Sequence, residues 1–311
     1  MGENDVLTML DADKKNQQKT DGAPAPEQDT QQVGGQEEQQ EAGTFLFDAL
    51  SDDEVNGVLK DMRHSLVVLI GLPGSGKSTF VGSMYHLLMT KALVGNYYMI
   101  DSDTYVGLER RVYLRYAHGP NLKYTKRTGD LEGHVLTLEL AEKSGNKTLQ
   151  LIVSDRTGER YREYAKGTKD MSGDLTLLST EHLYIFVAAD ILTGSEYLSV
   201  MDYYEKIAKQ LKTAGVIERT KTITLVFNKI DLVKDAMVRF SKKKTAFIAA
   251  MNKAMGLEGI DSCNVQSNNI DSAELKTLIE QLISHSFSDY DDTDEPELDW
   301  VKEKIDNYTK L

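Results

Sequence analysis

Cysteine is all but missing from this sequence. Cys263 stands alone among 311 residues, which excludes an internal disulfide and fits a reducing, cytoplasmic compartment. No apolar run approaches the length needed to cross a bilayer, and the first residues are too polar for a signal peptide, so no stable membrane insertion is expected. Gly2 invites N-myristoylation, but Val6 stands where that signal requires Ser or Thr. Basic residues are short as well: 36 Lys and Arg against 49 Asp and Glu leave a net charge of −13. A nucleic acid would be repelled by that balance, so none is expected as a partner. The six histidines show no ligand spacing, and Lys242-Lys243-Lys244 is too short a basic run for more than a solvated helix face.

What is present divides the chain into three. Residues 1–44 are acidic and Gln-rich, with eleven acidic side chains against three lysines between Met1 and Asp48. Such a segment buries too little apolar surface to offset its ordering entropy and reads as a disordered tail. Residues 45–286 carry the apolar runs. An N-terminal helix is expected over Ser51–Met62, and then strands alternate with helices: Leu66–Ile70, a helix to about Leu93, Tyr97–Ile100, and a helix over Tyr105–Tyr116. A hairpin of Val135–Leu140 and Leu149–Val153 follows, then strands at His182–Ala189, Thr222–Phe227 and Cys263–Gln266. The helices expected among these last strands span Glu196–Ala214, Lys234–Met255 and Ser272–His285. Residues 287–311 read as an acidic linker and an amphipathic helix.

Three motifs carry chemistry. Gly71-Leu72-Pro73-Gly74-Ser75-Gly76-Lys77-Ser78-Thr79 fits the Walker A pattern between an apolar strand and a helix. Its glycines let backbone N–H groups converge on phosphate oxygens, and the helix N-terminus adds partial positive charge there. Lys77 would reach the β- and γ-phosphates, and the Ser78 hydroxyl would bind magnesium. Asn228-Lys229-Ile230-Asp231 ends a later strand. A carboxylate at Asp231 can accept hydrogen bonds from guanine N1–H and the exocyclic amine, for which adenine has no equivalent, while Asn228 would hold the loop and Lys229 lie along the base. Asp155-Arg156-Thr157-Gly158 closes the hairpin. There Asp155 can hold a magnesium-bound water and the Gly158 N–H can meet the γ-phosphate.

Together these motifs resemble the Ras-like and translation-factor (TRAFAC) class of P-loop GTPases, over about Met62–His285, with Val265-Gln266-Ser267-Asn268 as a loose counterpart of the base loop. Within the class the chain is most similar to bacterial GTPases of conflict or signalling operons. The resemblance implies an α/β Ras-like fold: a mostly parallel six-stranded sheet with one antiparallel strand and helices on both faces, here with a strand and helix inserted at about 94–120. It also implies a GTP/GDP switch with Mg2+, acting on a protein effector or activator. Switch I needs a threonine on magnesium and the γ-phosphate: Thr128 is the first choice and Thr125 the second. Glu159 stands where Ras-like enzymes place a water-orienting glutamine, and its charge next to the phosphates predicts slow intrinsic hydrolysis helped by an arginine in cis or from a partner. Arg127, Arg156, Arg160 and Arg162 are the nearby arginines in sequence. Two other readings stay open: a small-molecule kinase with Asp101 or Asp103 as base, and a nucleotide-dependent scaffold that does not hydrolyse. Oligomeric state is not given by any motif.

Overall fold

The apolar runs are too continuous for strands with one wet face, and the structure buries them on both sides. The computed structural model describes residues 47–288 except 53, 56–62, 92, 117–132 and 145–146. The expected N-terminal tail, the C-terminal segment beyond Ser288, the end of the first helix, Thr125, Arg127 and Thr128 lie outside the described residues, while Phe287 and Ser288 continue the last helix.

Seven strands form one sheet: β1 (His64–Ile70), β2 (Tyr97–Asp101), β3 (Val135–Glu142), β4 (Thr148–Ser154), β5 (His182–Ala188), β6 (Thr222–Asn228) and β7 (Asp261–Asn264), in the order β2-β3-β4-β1-β5-β6-β7. Only β3 opposes the rest, since it pairs antiparallel with both β2 and β4 while the other pairings are parallel. The count is one more than the six expected of the core sheet, because the inserted β2 joins the same sheet as its edge through Tyr97–Glu142 pairing.

Helices cover both faces. β1 shows why: Leu66, Val68 and Ile70 point into one apolar cluster, Val67 and Leu69 into another. The second cluster is closed by α1 (Lys77–Thr90), α2 (Tyr105–Tyr116) and α8 (Ala273–Ser288). Leu275, Leu278, Ile279, Leu282 and Ile283 repeat along α8 at helical spacing, so one stripe of it is buried. The first cluster is closed by α3 (Gly158–Lys166), α6 (Tyr197–Thr213) and α7 (Met237–Met255), with the short helices α4 (Leu175–Leu178) and α5 (Ala189–Thr193) between them.

Several boundaries differ from expectation for visible reasons. α1 stops at Thr90, because Val94 and Tyr97 exchange backbone bonds to start β2. The helix expected from Lys234 is broken: Ile230–Ala236 is a 3₁₀ segment with Val233 outside helical angles, and α7 starts at Met237. β7 lies two residues earlier than expected, and Val265, beyond it, bonds its N–H to the Phe227 carbonyl and accepts from Ile230 N–H. Helix α3 had no counterpart in the sequence reading.

Candidate nucleotide site

The site gathers at the C-terminal ends of β1, β4 and β6, with β1 in the middle of the sheet. After β1 the chain turns through Gly74 and Gly76, both with positive φ (75° and 95°), before Lys77 opens α1. A side chain at Gly76 would strike the Asn228 amide, so glycine is required by both conformation and space. Ser75 is buried and Thr79 half-buried in this loop.

Two tyrosines from the opposite face anchor the loop and the strand end that leads into it. Tyr204 of α6 donates its hydroxyl to the Phe186 carbonyl (2.5 Å) and accepts the Leu72 N–H (3.2 Å). Tyr161 of α3 donates to the Leu69 carbonyl at 3.0 Å, and its ring lies 5.7 Å from Lys77 Nζ. Neither tyrosine was expected at the site; for Tyr204 the helical spacing with Ile207, Ala208 and Leu211 signals burial, and for Tyr161, in a mostly charged helix, no comparable signal exists.

Lys77 is buried and donates to the Gly71 carbonyl at 2.7 Å. Burial pushes its ammonium down to about 8, against the pull of Asp155 and Glu159, whose negative charge favours the proton. Ser78 Oγ donates to Asp155 Oδ1 at 3.2 Å, so the Walker loop meets the Asp155-Arg156-Thr157-Gly158 loop. Gly158 packs so close that an added Cβ would sit 2.1 Å from Pro73 N. Thr157 caps α3 by accepting the Arg160 N–H, and half-buried Glu159 lies in the first turn.

Asp155 and Arg156 turn to opposite sides. Asp155 takes Arg111 of α2 as an ion-pair partner, Nε to Oδ2 at 2.9 Å, both side chains being almost fully buried. Arg156 pairs with Asp174 and Asp52, and its Nε lies 3.0 Å from His134 Nε2, which also faces Asp52. Tyr164 also donates to Asp174. Burial works against charge on Asp52, but His134 and Arg156 hold its carboxyl well below the usual range. Of the neighbouring arginines, Arg156 is thus committed to ion pairs, Arg160 donates to the Tyr164 hydroxyl at 3.2 Å, and Arg162 is exposed.

The Asn228-Lys229-Ile230-Asp231 motif joins the Walker loop through Asn228. Its Nδ2 donates to the Ser75 carbonyl at 2.9 Å, and its Oδ1 accepts the Ser267 N–H at 3.0 Å. One buried amide therefore links the phosphate loop to the loop after β7. Lys229 adopts a left-handed backbone (φ 60°) and Asp231 lies half-buried in the 3₁₀ segment. Ser267 is buried and Asn268 exposed beside it. The hydroxyls of Ser75 and Ser267 are buried without a hydrogen-bond partner among the described residues.

Asp101 and Asp103 are drawn elsewhere. Asp101 caps the Ser102 N–H, and Asp103 accepts from Gln150 Nε2 at 3.3 Å. Asp101 ends β2, which stands three places from β1, about 14 Å at ordinary strand spacing, and Asp103 lies in the turn beyond it, tied to β4 rather than to the Walker loop.

A Walker loop after the central strand of a mostly parallel sheet, with an aspartate loop on one side and an Asn-Lys-x-Asp strand end on the other, defines a P-loop GTPase. The sequence profile of the Double-GTPase 2 family matches residues 65–287, and the chain belongs to that family. Among solved structures, the bacterial selenocysteine-specific elongation factor EF-Sec matches 74% of this chain and 30% of its own at 13% identity, with a TM-score of 0.41. The Saccharomyces cerevisiae Ski7 GTPase-like domain, solved with GDP and inorganic phosphate, matches 77% of this chain and 53% of its own at 10% identity, with a TM-score of 0.44. This chain therefore corresponds to under two thirds of either of those chains. No curated protein matches the sequence. Among the described residues no helix is long and apolar enough to cross a membrane.

Proposed function

We propose that the chain is a GTP-dependent switch: it binds GTP or GDP with Mg2+ at residues 71–79, hydrolyses GTP slowly, and signals the bound state to a protein partner in the cytoplasm. The observation that carries this reading is the Asn228 amide, which ties Ser75 of the phosphate loop to Ser267 of the base side. That link supports a base site on the Asn228–Asp231 side, with Asp231 reading a guanine whose phosphates lie in the glycine loop.

The residues fit a magnesium nucleotide. Ser78 and Asp155 supply hard oxygen donors 3.2 Å apart, as this metal prefers, and the unpartnered Ser75 and Ser267 hydroxyls are groups that a nucleotide would satisfy. Ser78 would hold the ion and Asp155 a water on it, with Thr128 assigned the third oxygen. The ion supplies charge neutralisation at the phosphates. Lys77 balances the phosphate charge, Gly158 offers its N–H next to Pro73, and Glu159 faces Lys77 from α3. The carboxylate of Glu159 disfavours a nearby polyanion, which supports a slow intrinsic rate and leaves room for a partner to accelerate it. The domain of residues 45–286 would carry this activity, flanked by the two acidic tails.

The test is calorimetric binding of GDP, a GTP analogue and an ATP analogue with Mg2+, for wild type and Asp231→Ala. The expected result is guanine-selective binding that Asp231→Ala weakens by at least ~100-fold, because a charged hydrogen-bonding pair is lost and its partners are left unsatisfied. ATP binding as tight as GTP binding and indifferent to Asp231 would sink the reading.

A further inference from the structure

The inserted helix α2 contributes a residue to the phosphate end of the site. Arg111 is buried, and its guanidinium is held in two directions: Nη1 donates to the Gly107 carbonyl one turn back at 2.9 Å, and Nε donates to Asp155 Oδ2 at 2.9 Å. The same Asp155 carboxylate accepts from Ser78 at its other oxygen. One carboxylate therefore separates Arg111 from the Walker serine. The helix that carries it is fixed close to α1, since a Cβ on Gly82 of α1 would lie 3.0 Å from the Arg111 carbonyl oxygen.

Arg111 is not satisfied. Its Nη2 is buried with no hydrogen-bond partner among the described residues. In a guanidinium, Nη2–H lies on the same edge as Nε–H, so this unused donor sits alongside the bond to Asp155. A buried cation with a missing bond is costly unless an acceptor arrives. Planar two-donor edges of this kind match phosphate oxygens.

We propose that Arg111 is a positioning residue for Asp155 and the group through which the site distinguishes a nucleoside triphosphate from a diphosphate. Its Nε fixes the Asp155 carboxylate with Oδ1 toward Ser78, and its Nη2 takes an acceptor oxygen brought by the triphosphate end, either of the terminal phosphate or of a water on the accompanying ion. The inserted β2–α2 element then reads the nucleotide state directly, through α2. This inference rests on the GTPase reading above.

The experiment compares affinities for a non-hydrolysable GTP analogue and for GDP, both with Mg2+, in wild type, Arg111→Gln, Arg111→Lys and Arg110→Gln, with the melting temperature of each. Wild type is measured first: failure to bind guanine nucleotides selectively overturns the GTPase reading before any variant is considered. With that selectivity present, Arg111→Gln should lower the triphosphate-to-diphosphate affinity ratio by about ten- to a hundredfold, as for a lost hydrogen bond to a charged group. Arg111→Lys restores the charge but not the two-donor edge and should fall between. Arg110→Gln, which removes a half-exposed partner of Asp48 on the same helix, should leave the ratio unchanged. A purely structural Arg111 would lower both affinities and the melting temperature together with a constant ratio, and that result overturns the proposal. Should Arg111→Gln fail to fold, an unchanged ratio in Arg111→Lys overturns it equally.

Discussion

The buried polar residues of this chain behave differently according to what meets them. Lys77 keeps its place by bonding a carbonyl of its own loop, Asn228 spends both ends of its amide, and Arg156 is surrounded by carboxylates. Cys263 has no such company. It stands on edge strand β7, and burial pushes its thiol up to about 12, with the nearby Lys244 ammonium only partly offsetting this. A raised thiol pKa keeps the neutral, unreactive form at ordinary pH, because the thiolate is the nucleophile. At pH 8 the folded chain should hold only about one thiolate in 10⁴, so alkylation by iodoacetamide should run on the order of 1,000-fold slower than in the urea-unfolded chain. Between about pH 7 and 10 the folded rate should climb about tenfold per pH unit, whereas the unfolded rate levels off above about 9. Mass spectrometry of the Cys263 peptide measures both, and a folded rate that levels off near 9 would show the thiol to be solvated.

At the level of elements, helix α3 and the ion cluster behind it hold the Asp155 loop in place. Asp174 has two tasks: it caps α4 by accepting the Leu177 N–H at 3.1 Å, and it receives Arg156 and Tyr164. Removing it leaves a buried guanidinium with only Asp52 and His134. Asp174→Ala should therefore cost about 3–5 kcal/mol of unfolding free energy, since it breaks a buried pair from one side. Lys221→Ala, which removes an exposed partner of Glu181, should cost no more than about 1 kcal/mol. Urea denaturation of the two variants checks the contrast; equal costs would mean that the Arg156 cluster is as wet as the surface. These elements also show where sequence reading stops. The strands were legible because β1, β5 and β6 are continuous apolar runs and the β3–β4 hairpin has a short polar turn. Helix α3 was not, because it starts at a glycine, is mostly charged, and buries only Tyr161, Tyr164 and Ala165 besides that glycine. The Walker loop, the Asp155 loop and Asn228 are local patterns, and they do come together in space. The Arg111–Asp155 pair spans 44 positions and joins an inserted helix to a motif, a contact that no local pattern encodes. Tyr204 bonding the P-loop across 132 positions is invisible in the same way.

Across the whole molecule, the phosphate loop is the point where the two cores meet. It leaves the central strand, Tyr161 and Tyr204 hold it from the core of α3, α6 and α7, and α1 carries it into the core of α2 and α8. A ligand bound there touches a segment that neither core can release without disturbing the other. Binding energy should consequently appear as global stability rather than as local stiffening of one loop. With GDP and Mg2+ at 100 times the dissociation constant, the unfolding free energy should rise by about 2.7 kcal/mol, the amount required by mass action for a ligand that binds only the folded state. The urea transition should move as one, to higher midpoint with unchanged slope, because the surface exposed on unfolding stays the same. Far-ultraviolet circular dichroism and the fluorescence of the tyrosines report different parts of the fold and should give coincident curves with and without nucleotide. If an earlier transition separates and stays put when GDP is added, part of the sheet unfolds independently of the P-loop, and the nucleotide's reach ends short of it. The edge formed by β2 and α2 is where such a break would be expected, and Arg111→Gln, which cuts the tie from α2 to Asp155, should make it easier to see.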